Sequence, residues 1–239
     1  MKLKGKTALI TGGSKGIGKA IAKAFLKEGS TVVICGRDEK NLKKTYKELS
    51  KYGNMGFIKA DISKKRDVIR LKSEIKNKYK KIDILVNNAS TLGHRVPILD
   101  YPEEIWEKTI HTNLNAQFFV IKRLLPILLK SDDKPSIINV SSSVGRQGKA
   151  NWGAYAASKF GLEGLTQVLA DELKSRARVN SVNPGGTRTD MRADAYPDED
   201  PKTLPHPDEI TPVFVYLASD ESKDITGQAF NARDWMEKQ

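Results

Sequence analysis

The residues best suited to chemistry lie in the segment 139–161, NVSSSVGRQGKANWGAYAASKFG. Tyr155 and Lys159 are four positions apart, so on a helix their side chains share one face. Ser142 follows an apolar run that is typical of a strand. A phenol beside an ammonium group, with a hydroxyl nearby, is a proton-transfer set suited to a carbonyl or an alcohol. The segment therefore predicts a site to which a hydride donor must be brought.

Short apolar segments alternate with amphipathic ones along the rest of the chain. The apolar segments, typical of strands, are 7–11, 31–35, 56–60, 83–87, 136–141 and 178–183. The amphipathic segments, typical of helices, are 19–28, 38–50, 64–79, 103–130 and 155–174. This alternation predicts βαβ units and a parallel sheet covered by helices on both faces. With no repeat and no low-complexity linker, we predict one doubly wound α/β domain of the Rossmann type over residues 1–239.

Residues 190–207 interrupt the alternation. This segment contains several acidic residues and four prolines, at positions 197, 201, 205 and 207, and it shows little periodicity. It follows the last major strand, at the edge where open α/β sheets bind ligands. An exposed loop is one interpretation. We favour a lid over the substrate, because long ordered loops in this place are usually functional.

Composition excludes several other classes of protein. The formal net charge is +12, from 41 Lys and Arg against 29 Asp and Glu, but the lysines are scattered over the predicted helices. Without a basic tail or interleaved aromatic residues, we expect a solvated surface that favours anionic ligands and binds no nucleic acid. No apolar run approaches the ~20 residues of a membrane span, and the N-terminus is unlike a signal peptide. A cytoplasmic protein that binds no membrane is expected.

Metal and disulfide chemistry are not expected. Cys35 is the only cysteine, and it lies in an apolar strand segment, where a core residue is more usual than a nucleophile. His94, His111 and His206 are isolated and lack the spacing of metal ligands.

A glycine-rich loop separates the first predicted strand from the first predicted helix. Gly12, Gly16 and Gly18 have the spacing G-x-x-x-G-x-G, unlike the commoner G-x-G-x-x-G fingerprint. Glycine lets the backbone approach a phosphate, and the N-terminus of a helix offers unpaired N–H groups to its charge. The loop therefore predicts a dinucleotide site. Its other predicted contacts are Ser14, Lys15 and Ile17.

The end of the second predicted strand indicates which dinucleotide is bound. A site that prefers NAD has a carboxylate there to bind the adenosine ribose, whereas this chain has Gly36 and Arg37. Lys15 in the glycine loop adds a second cation. Two cations and no carboxylate suit a 2′-phosphate, so we predict NADP(H) over NAD(H). Asp61 either accepts a hydrogen bond from the adenine amine or takes part in a helix N-cap with Ser63.

A series of motifs resembles the short-chain dehydrogenase/reductase family from about residue 4 to residue 227. In order, the motifs are TGGSKGIG, Asp61, NNAS, Asn113, Ser142, Tyr155-x-x-x-Lys159 and NPGGTRT. The segments around the catalytic helix, together with MRADAYPDEDPKTLP, look most like the bacterial YciK-like branch of that family. The resemblance implies an NADPH-dependent carbonyl reductase that is reversible as an alcohol dehydrogenase.

The resemblance also implies catalytic roles. Tyr155 matches the family's general acid and base. Lys159, together with the positive nicotinamide ring of the oxidised cofactor, is expected to lower the pKa of that phenol, and Lys159 is also expected to hold the nicotinamide ribose. Ser142 is expected to hydrogen-bond the substrate oxygen as negative charge develops on it. Asn113 matches a helix asparagine that holds a water beside the lysine.

Further cofactor contacts follow from the same resemblance. They are Ile62, Asn88 and Ala89 on the adenosine side, and Pro184, Gly185, Thr187 and Thr189 toward the nicotinamide and pyrophosphate. Ser90 stands where the family usually has glycine, which requires a less permissive backbone or an additional contact.

The substrate and the partners are less well defined. The pocket is expected between residues 94–96, residues 143–152 and the lid, with Trp152 and Tyr196 as aromatic walls. Arg95 or Arg146 either meets an acidic group of the substrate or packs against neighbouring loops. The ending FNARDW departs from the V-D-G-G that is common in the family and often lies at a subunit interface. A homodimer and a homotetramer are both compatible with it.

Two alternative functions remain. The commonest housekeeping role in the family is the reduction of 3-oxoacyl groups on acyl carrier protein. Lys174, Arg176 and Arg178 either dock that acidic partner or interact with the helix dipole. A non-catalytic NADP(H) sensor is the other alternative, and the intact proton-transfer residues argue against it.

Overall fold

The computed structural model describes residues 1–236, in which seven strands form one parallel sheet in the order β3-β2-β1-β4-β5-β6-β7. The strands are β1 (Thr7–Thr11), β2 (Thr31–Gly36), β3 (Met55–Lys59), β4 (Ile84–Asn87), β5 (Ser136–Val140), β6 (Arg178–Asn183) and β7 (Ala229–Asn231). The helices are α1 (Gly16–Lys27), α2 (Glu39–Leu49), α3 (Lys65–Tyr79), α4 (Glu103–Ile110), α5 (Ala116–Leu128), α6 (Gly153–Glu172), α7 (Asp190–Ala195) and α8 (Pro212–Ala218).

Helices cover both faces of the sheet, which explains why its inner strands are apolar throughout. Every residue of β4 and of β5 is buried, as expected for a parallel sheet packed on both sides. One core contains Phe25 of α1 and Phe214 of α8, and the other contains Leu71 of α3 and Leu124 of α5. The strand order reverses between β1 and β4, and this reversal creates the crevice in which doubly wound folds bind ligands.

The predicted Rossmann-type α/β fold is confirmed, and the six predicted strands lie within one residue of the observed ones. The predicted helix 103–130 consists of α4 and α5, joined by a π-helical turn at His111–Asn115. Helix α1 begins at Gly16 rather than at residue 19. The prediction missed its first residues because they belong to a glycine-rich stretch whose helix propensity is low. Strand β7 was missed because it is three residues long and is defined by pairing with β6.

The predicted lid, residues 190–207, is largely folded. Thr189 caps α7 by accepting a hydrogen bond from the Arg192 backbone N–H at 3.2 Å. Arg192 pairs with Glu199 through two hydrogen bonds of 2.6 Å. Arg188 donates to the carbonyl oxygens of Pro201 and Leu204. These local bonds order the segment without the hydrophobic periodicity that sequence patterns detect.

Two kinds of feature are absent from the described residues. Within 1–236, no helix is both long and apolar enough to cross a membrane. Over the same range, no three His, Cys, Asp or Glu side chains are grouped so as to hold a metal ion.

Candidate active site

A cleft of about 1090 Å³ lies along the carboxyl ends of the strands and gathers most of the predicted site. The predicted residues that line it are Gly12, Ser14, Lys15, Gly16, Ile17, Arg37, Asp61, Ile62, Asn88, Ala89, Tyr155, Lys159, Pro184 and Thr189. The predicted residues that do not line it are Gly18, Asn113, Ser142, Gly185 and Thr187.

The glycine loop has the geometry that a bound phosphate requires. Gly12 and Gly16 have φ of +65° and +52°, in the left-handed region that favours glycine. A Cβ at Gly18 would lie 2.4 Å from the Gly12 carbonyl oxygen. Lys15 precedes α1 without a side-chain cap, which leaves the first N–H groups of the helix available to an anion. These residues fit a dinucleotide pyrophosphate.

Asn88 fixes the glycine loop to the end of β4. Its Nδ2 donates to the carbonyl oxygens of Thr11 and Gly12 at 3.0 and 3.2 Å. The backbone N–H groups of Asn88 and Ala89 donate to Thr11 Oγ1. Ser90, where the family usually has glycine, does not have a positive φ. This loop therefore accommodates the serine in an ordinary backbone conformation.

Two cations lie at the end of the cleft that is predicted to hold the adenosine. Arg37 is exposed there, and the carboxylate of the following residue, Asp38, is occupied because it accepts hydrogen bonds from Asn41 N and Nδ2 at 3.1 and 2.6 Å. Lys44 of α2 lines the same end. Sequence reasoning missed Lys44, because it lies within α2 whereas Arg37 precedes that helix, and no spacing rule links the two.

Lys15, the other predicted cation, is engaged by the predicted lid. Its Nζ lies 3.1 Å from Oδ2 of Asp190, and both side chains are mainly exposed. This ion pair joins the glycine loop to the first residue of α7.

Asp61 lines the cleft and also stabilises the turn after β3. Its Oδ1 accepts hydrogen bonds from the N–H and the hydroxyl of Ser63, at 3.0 and 2.7 Å. The N-cap of α3 is Lys64, so Asp61 supports the turn before that helix and does not cap it. The contact with adenine stays a prediction.

Tyr155 and Lys159 lie on the buried face of α6, and Ser142 follows the end of β5. Burial raises the pKa of Tyr155 to about 12, and a hydrogen bond with Ser142 acts in the opposite direction. Burial lowers the pKa of Lys159 to about 8, opposed by the nearby carboxylate of Glu163. Tyr155 is therefore protonated at neutral pH, whereas the pKa of Lys159 lies close to physiological pH.

The lowering of the Tyr155 pKa expected from Lys159 and an oxidised nicotinamide ring stays a prediction; within the protein alone, Lys159 is not among the groups that lower it. Lys159 Nζ donates to the carbonyl oxygen of Val140 at 2.7 Å and lies 5.5 Å from the centre of the Tyr155 ring. Because the ammonium is directed at that carbonyl, burial dominates the titration of the phenol.

Asn113 lies in the π-helical turn between α4 and α5 and is fully buried. Its Oδ1 accepts a hydrogen bond from Thr91 N at 2.8 Å, and its Nδ2 donates to Thr91 O at 2.9 Å and to Ser158 Oγ at 3.2 Å. The amide therefore ties the loop after β4 to α6, beside Lys159. The water expected next to this residue stays a prediction.

The turn after β6 is closed by the C-terminal segment. Gly185 has φ of +70°, and a Cβ there would lie 2.9 Å from Arg233 Nε. Arg233 also donates to the carbonyl oxygen of Gly186. Thr187 is buried, with its hydroxyl 3.3 Å from the Gly185 carbonyl oxygen, whereas Thr189 faces the cleft. The departure of FNARDW from the family ending therefore has a local structural use, which no sequence motif revealed.

Two arginines considered for partner or substrate binding have structural roles. Arg146 donates to Glu163 and Asn231 at 2.9 Å each. Arg178 is 3% exposed and donates to the carbonyl oxygens of Leu217 and Ser219. The predicted basic cluster is corrected accordingly, since only its other two members remain at the surface.

Comparison with known proteins agrees with this geometry. The family model for short chain dehydrogenases matches residues 6–200. The uncharacterised oxidoreductase YciK of Escherichia coli is 41% identical over 235 residues, which are 97% of this chain and 93% of that protein. The 3-oxoacyl-[acyl-carrier-protein] reductase FabG of Thermotoga maritima is 36% identical over 95% of this chain and 96% of its own length.

A solved structure extends the agreement to the whole fold. A short chain dehydrogenase from Shigella flexneri, complexed with NADP, superposes with a TM-score of 0.94 at 41% identity, covering 97% of this chain and 98% of that one. Its cofactor agrees with the preference predicted from Arg37 and Lys15. The resemblance to the YciK-like branch is confirmed, and the chain belongs to the short-chain dehydrogenase/reductase family.

Proposed function

We propose that this oxidoreductase uses NADPH to reduce a carbonyl compound to an alcohol, with Tyr155 as the proton donor. The observation that carries the proposal is a buried phenol that is hydrogen-bonded to Ser142 and lies close to Lys159. This phenol lines the same cleft as the glycine loop, which has the geometry of a dinucleotide site. Hydride transfer to a carbonyl requires these two parts to meet.

The cleft divides the binding of the cofactor among its elements. The glycine loop and the N-terminus of α1 would hold the pyrophosphate, and Arg37 with Lys44 would hold the 2′-phosphate of NADP(H). Lys159 would hold the nicotinamide ribose. When bound, NADPH supplies the hydride that reaches the carbonyl carbon.

The residues of the chain supply the proton. A phenol with a pKa of about 12 is protonated at neutral pH, so Tyr155 donates to the carbonyl oxygen rather than acting as a preformed base. The Ser142 hydroxyl stabilises negative charge on the same oxygen. Charged Lys159 would stabilise the phenolate left behind, and Asn113 holds the neighbouring loop in place.

The experiment is an assay of NADPH oxidation with ketones, diketones and 3-oxoacyl thioesters. Turnover of at least one class, together with tighter binding of NADPH than of NADH, is the expected result. Tight binding of NADPH without turnover of any carbonyl would instead indicate a sensor. Weak binding of both cofactors would contradict the assignment of the cleft.

A 3-oxoacyl thioester on acyl carrier protein is a second candidate substrate, favoured by the similarity to a 3-oxoacyl-[acyl-carrier-protein] reductase. Lys174 and Arg176 remain as docking residues, although Lys174 lies 3.0 Å from Asp171. If the carrier docks there, charge reversal of both should raise KM for the carrier-bound substrate and leave the KM of a small thioester analogue unchanged.

The same proposal includes a homo-oligomer. Phe118 of α5 and Phe160 and Val168 of α6 are 41%, 45% and 55% exposed. Exposed apolar side chains on neighbouring helices suit an interface between copies of the chain. Light scattering would distinguish a dimer from a tetramer, and a Phe160→Glu variant should shift either one toward the monomer.

A further inference from the structure

Three distant segments stack on one another beside the catalytic phenol. Arg95 lies in the loop after β4, Trp152 immediately precedes α6, and Tyr196 follows α7. Arg95 Cζ is 5.0 Å from the centre of the Trp152 ring and 4.2 Å from that of Tyr196. The Trp152 ring is itself 5.5 Å from the ring of Tyr155. One aromatic ring thus separates the Arg95 guanidinium from the proton donor.

This stack contains two buried donors that lack an acceptor. Neither Arg95 Nε nor Trp152 Nε1 has a hydrogen-bond partner among residues 1–236, and Trp152 is 7% exposed. Buried donors are normally paired, and leaving one unpaired is destabilising. Neither side chain can accept a hydrogen bond, so they cannot pair with each other. Both require an acceptor from elsewhere.

The neighbouring arginine shows the contrast. Arg192 packs on the Tyr196 ring at 3.8 Å, but its charge is met by both carboxylate oxygens of Glu199. Arg95 has no carboxylate within 4.0 Å in the described part of the chain. The Arg95 guanidinium packs on both the Trp152 and the Tyr196 rings, and its planar fork of donors can bind a carboxylate through two hydrogen bonds.

The surrounding charge also favours an anion. Lys149 Nζ donates to the Tyr196 hydroxyl at 3.2 Å. Burial acts to raise the pKa of Tyr196, but Lys149, Arg192 and Arg95 together hold it below its usual value. Glu199 of the same segment is already paired with Arg192. A carboxylate entering beside Arg95 would therefore meet a net positive field.

We propose that Arg95 and the Trp152 indole N–H bind a carboxylate of the substrate, and that the enzyme acts on oxo carboxylates and the corresponding hydroxy carboxylates. This inference rests on the proposed carbonyl reduction. The carbonyl carbon gains the hydride, the carbonyl oxygen gains a proton from Tyr155, and NADPH is oxidised to NADP⁺. The carboxylate is unchanged and serves to orient the substrate.

The test compares 2-, 3- and 4-oxo acids with their methyl esters, assayed as pairs with NADPH. For at least one pair, wild-type kcat/KM should be about 10- to 100-fold higher for the acid, as expected for charge-assisted hydrogen bonds. Arg95→Gln should remove that preference by raising KM for the acid, with kcat and the ester kinetics nearly unchanged. Arg95→Lys should restore only part of the preference, because an ammonium lacks the planar fork.

Two further variants separate binding from general effects. Trp152→Phe keeps an aromatic ring and removes the N–H, so it should reduce the acid preference a few-fold. Lys149→Gln removes a positive charge from the exposed side of Tyr196 and should leave the preference within about threefold of wild type. Equal effects of Arg95→Gln and Lys149→Gln would show that only the general field matters, which contradicts the proposed contact.

The outcomes also separate this inference from the proposed function. Turnover of neutral carbonyls without any acid preference in wild type would overturn the carboxylate site and leave carbonyl reduction standing. No turnover of any carbonyl would refute the reduction itself. If Arg95→Gln does not fold, the wild-type comparison of acid and ester and the Trp152→Phe variant still decide the matter.

Discussion

The cofactor side and the substrate side of the cleft are built in different ways. The cofactor side is shaped by backbone, with Gly12 and Gly16 in left-handed conformations and no room for a Cβ at Gly18. The proposed substrate side, beside Tyr155, is shaped by side chains, since Arg95, Trp152 and Tyr196 come from three separate segments and pack together.

This contrast separates the two specificities physically. Backbone N–H groups recognise a phosphate and not the rest of the ligand. The cofactor side therefore binds the pyrophosphate through the fixed backbone of the glycine loop. A stack of side chains can be changed one residue at a time without altering the fold. Variants on the cofactor side should therefore change cofactor binding, and variants on the substrate side should change turnover or substrate choice.

The largest expected effect is that of Tyr155→Phe. The substitution removes the hydroxyl that is proposed to donate the proton and keeps the ring that packs against Trp152. We expect kcat to fall by about 10²- to 10⁴-fold, while the Kd of NADPH, measured by fluorescence titration, stays within about threefold. A rate close to that of wild type would show that another group donates the proton.

Gly18→Ala should weaken the binding of NADPH, in contrast to Tyr155→Phe, which should lower kcat. The new Cβ would lie 2.4 Å from a backbone oxygen and cannot be relieved by a rotamer change, so the loop must move. We expect the Kd of NADPH to rise by at least about tenfold, a loss of about 1.4 kcal/mol.

Gly164→Ala is the matched control, because a Cβ at this position would meet no atom within 4 Å beyond the adjacent backbone of α6. It should leave the Kd unchanged, and because Gly164 lies on the same helix face as Phe160 and Val168, light scattering should confirm that the variant keeps the wild-type oligomeric state. Equal NADPH affinity in both variants would show that the glycine loop does not approach the cofactor.

Arg37→Asp tests whether Arg37 determines the preference for NADPH over NADH. The change removes one cation and supplies an acceptor for ribose hydroxyls, so NADPH affinity should fall by about 10- to 100-fold and NADH affinity should rise. Affinities for both cofactors should be measured on the same variant. An unchanged ratio would assign the preference to Lys44 or Lys15, and Lys44→Ala would then separate those two.

The pH dependence tests the boundary between the two sides, where Lys159 lies. Burial disfavours its charged form and places its pKa at about 8, so the ammonium is present below that pH and lost above it. We expect kcat/KM for reduction to be level below about pH 8 and to fall about tenfold per unit above it. Tyr155, with a pKa of about 12, stays protonated over this range. A level profile up to pH 10 would contradict a role for the charged lysine.

The difference between the two sides also explains what the sequence predicted. The backbone conformation of the loop requires glycine at positions 12 and 16, and a shared helix face requires Tyr155 and Lys159 to lie four residues apart. Both requirements can be recognised in a single sequence. The placement of Tyr155 and Lys159 on one helix face was predicted, but their titration was not, because burial and the Val140 carbonyl depend on tertiary packing.

Other features had no local signal. The sequence did not distinguish the two arginines proposed to bind an acidic substrate group. In the structure Arg146 pairs with Glu163, whereas Arg95 packs on the Tyr196 ring. The burial of Arg178 likewise depends on carbonyl oxygens near residues 217–219, which are remote in sequence. Tertiary packing determines such contacts between residues that are remote in sequence, and no spacing rule predicts them.

The smallest expected effect concerns the ion pair that joins the two sides, between Lys15 of the glycine loop and Asp190 of α7. The side chains are 69% and 76% exposed, so the pair contributes at most about 1 kcal/mol. Asp190→Asn frees Lys15 for the 2′-phosphate, and the Kd of NADPH should improve by no more than about fivefold. Binding of NADH, which lacks that phosphate, should not change, and high salt should abolish the gain because exposed charges are screened. Weaker binding of NADPH, or an equal gain for NADH, would show that Asp190 supports the loop instead of competing for its cation.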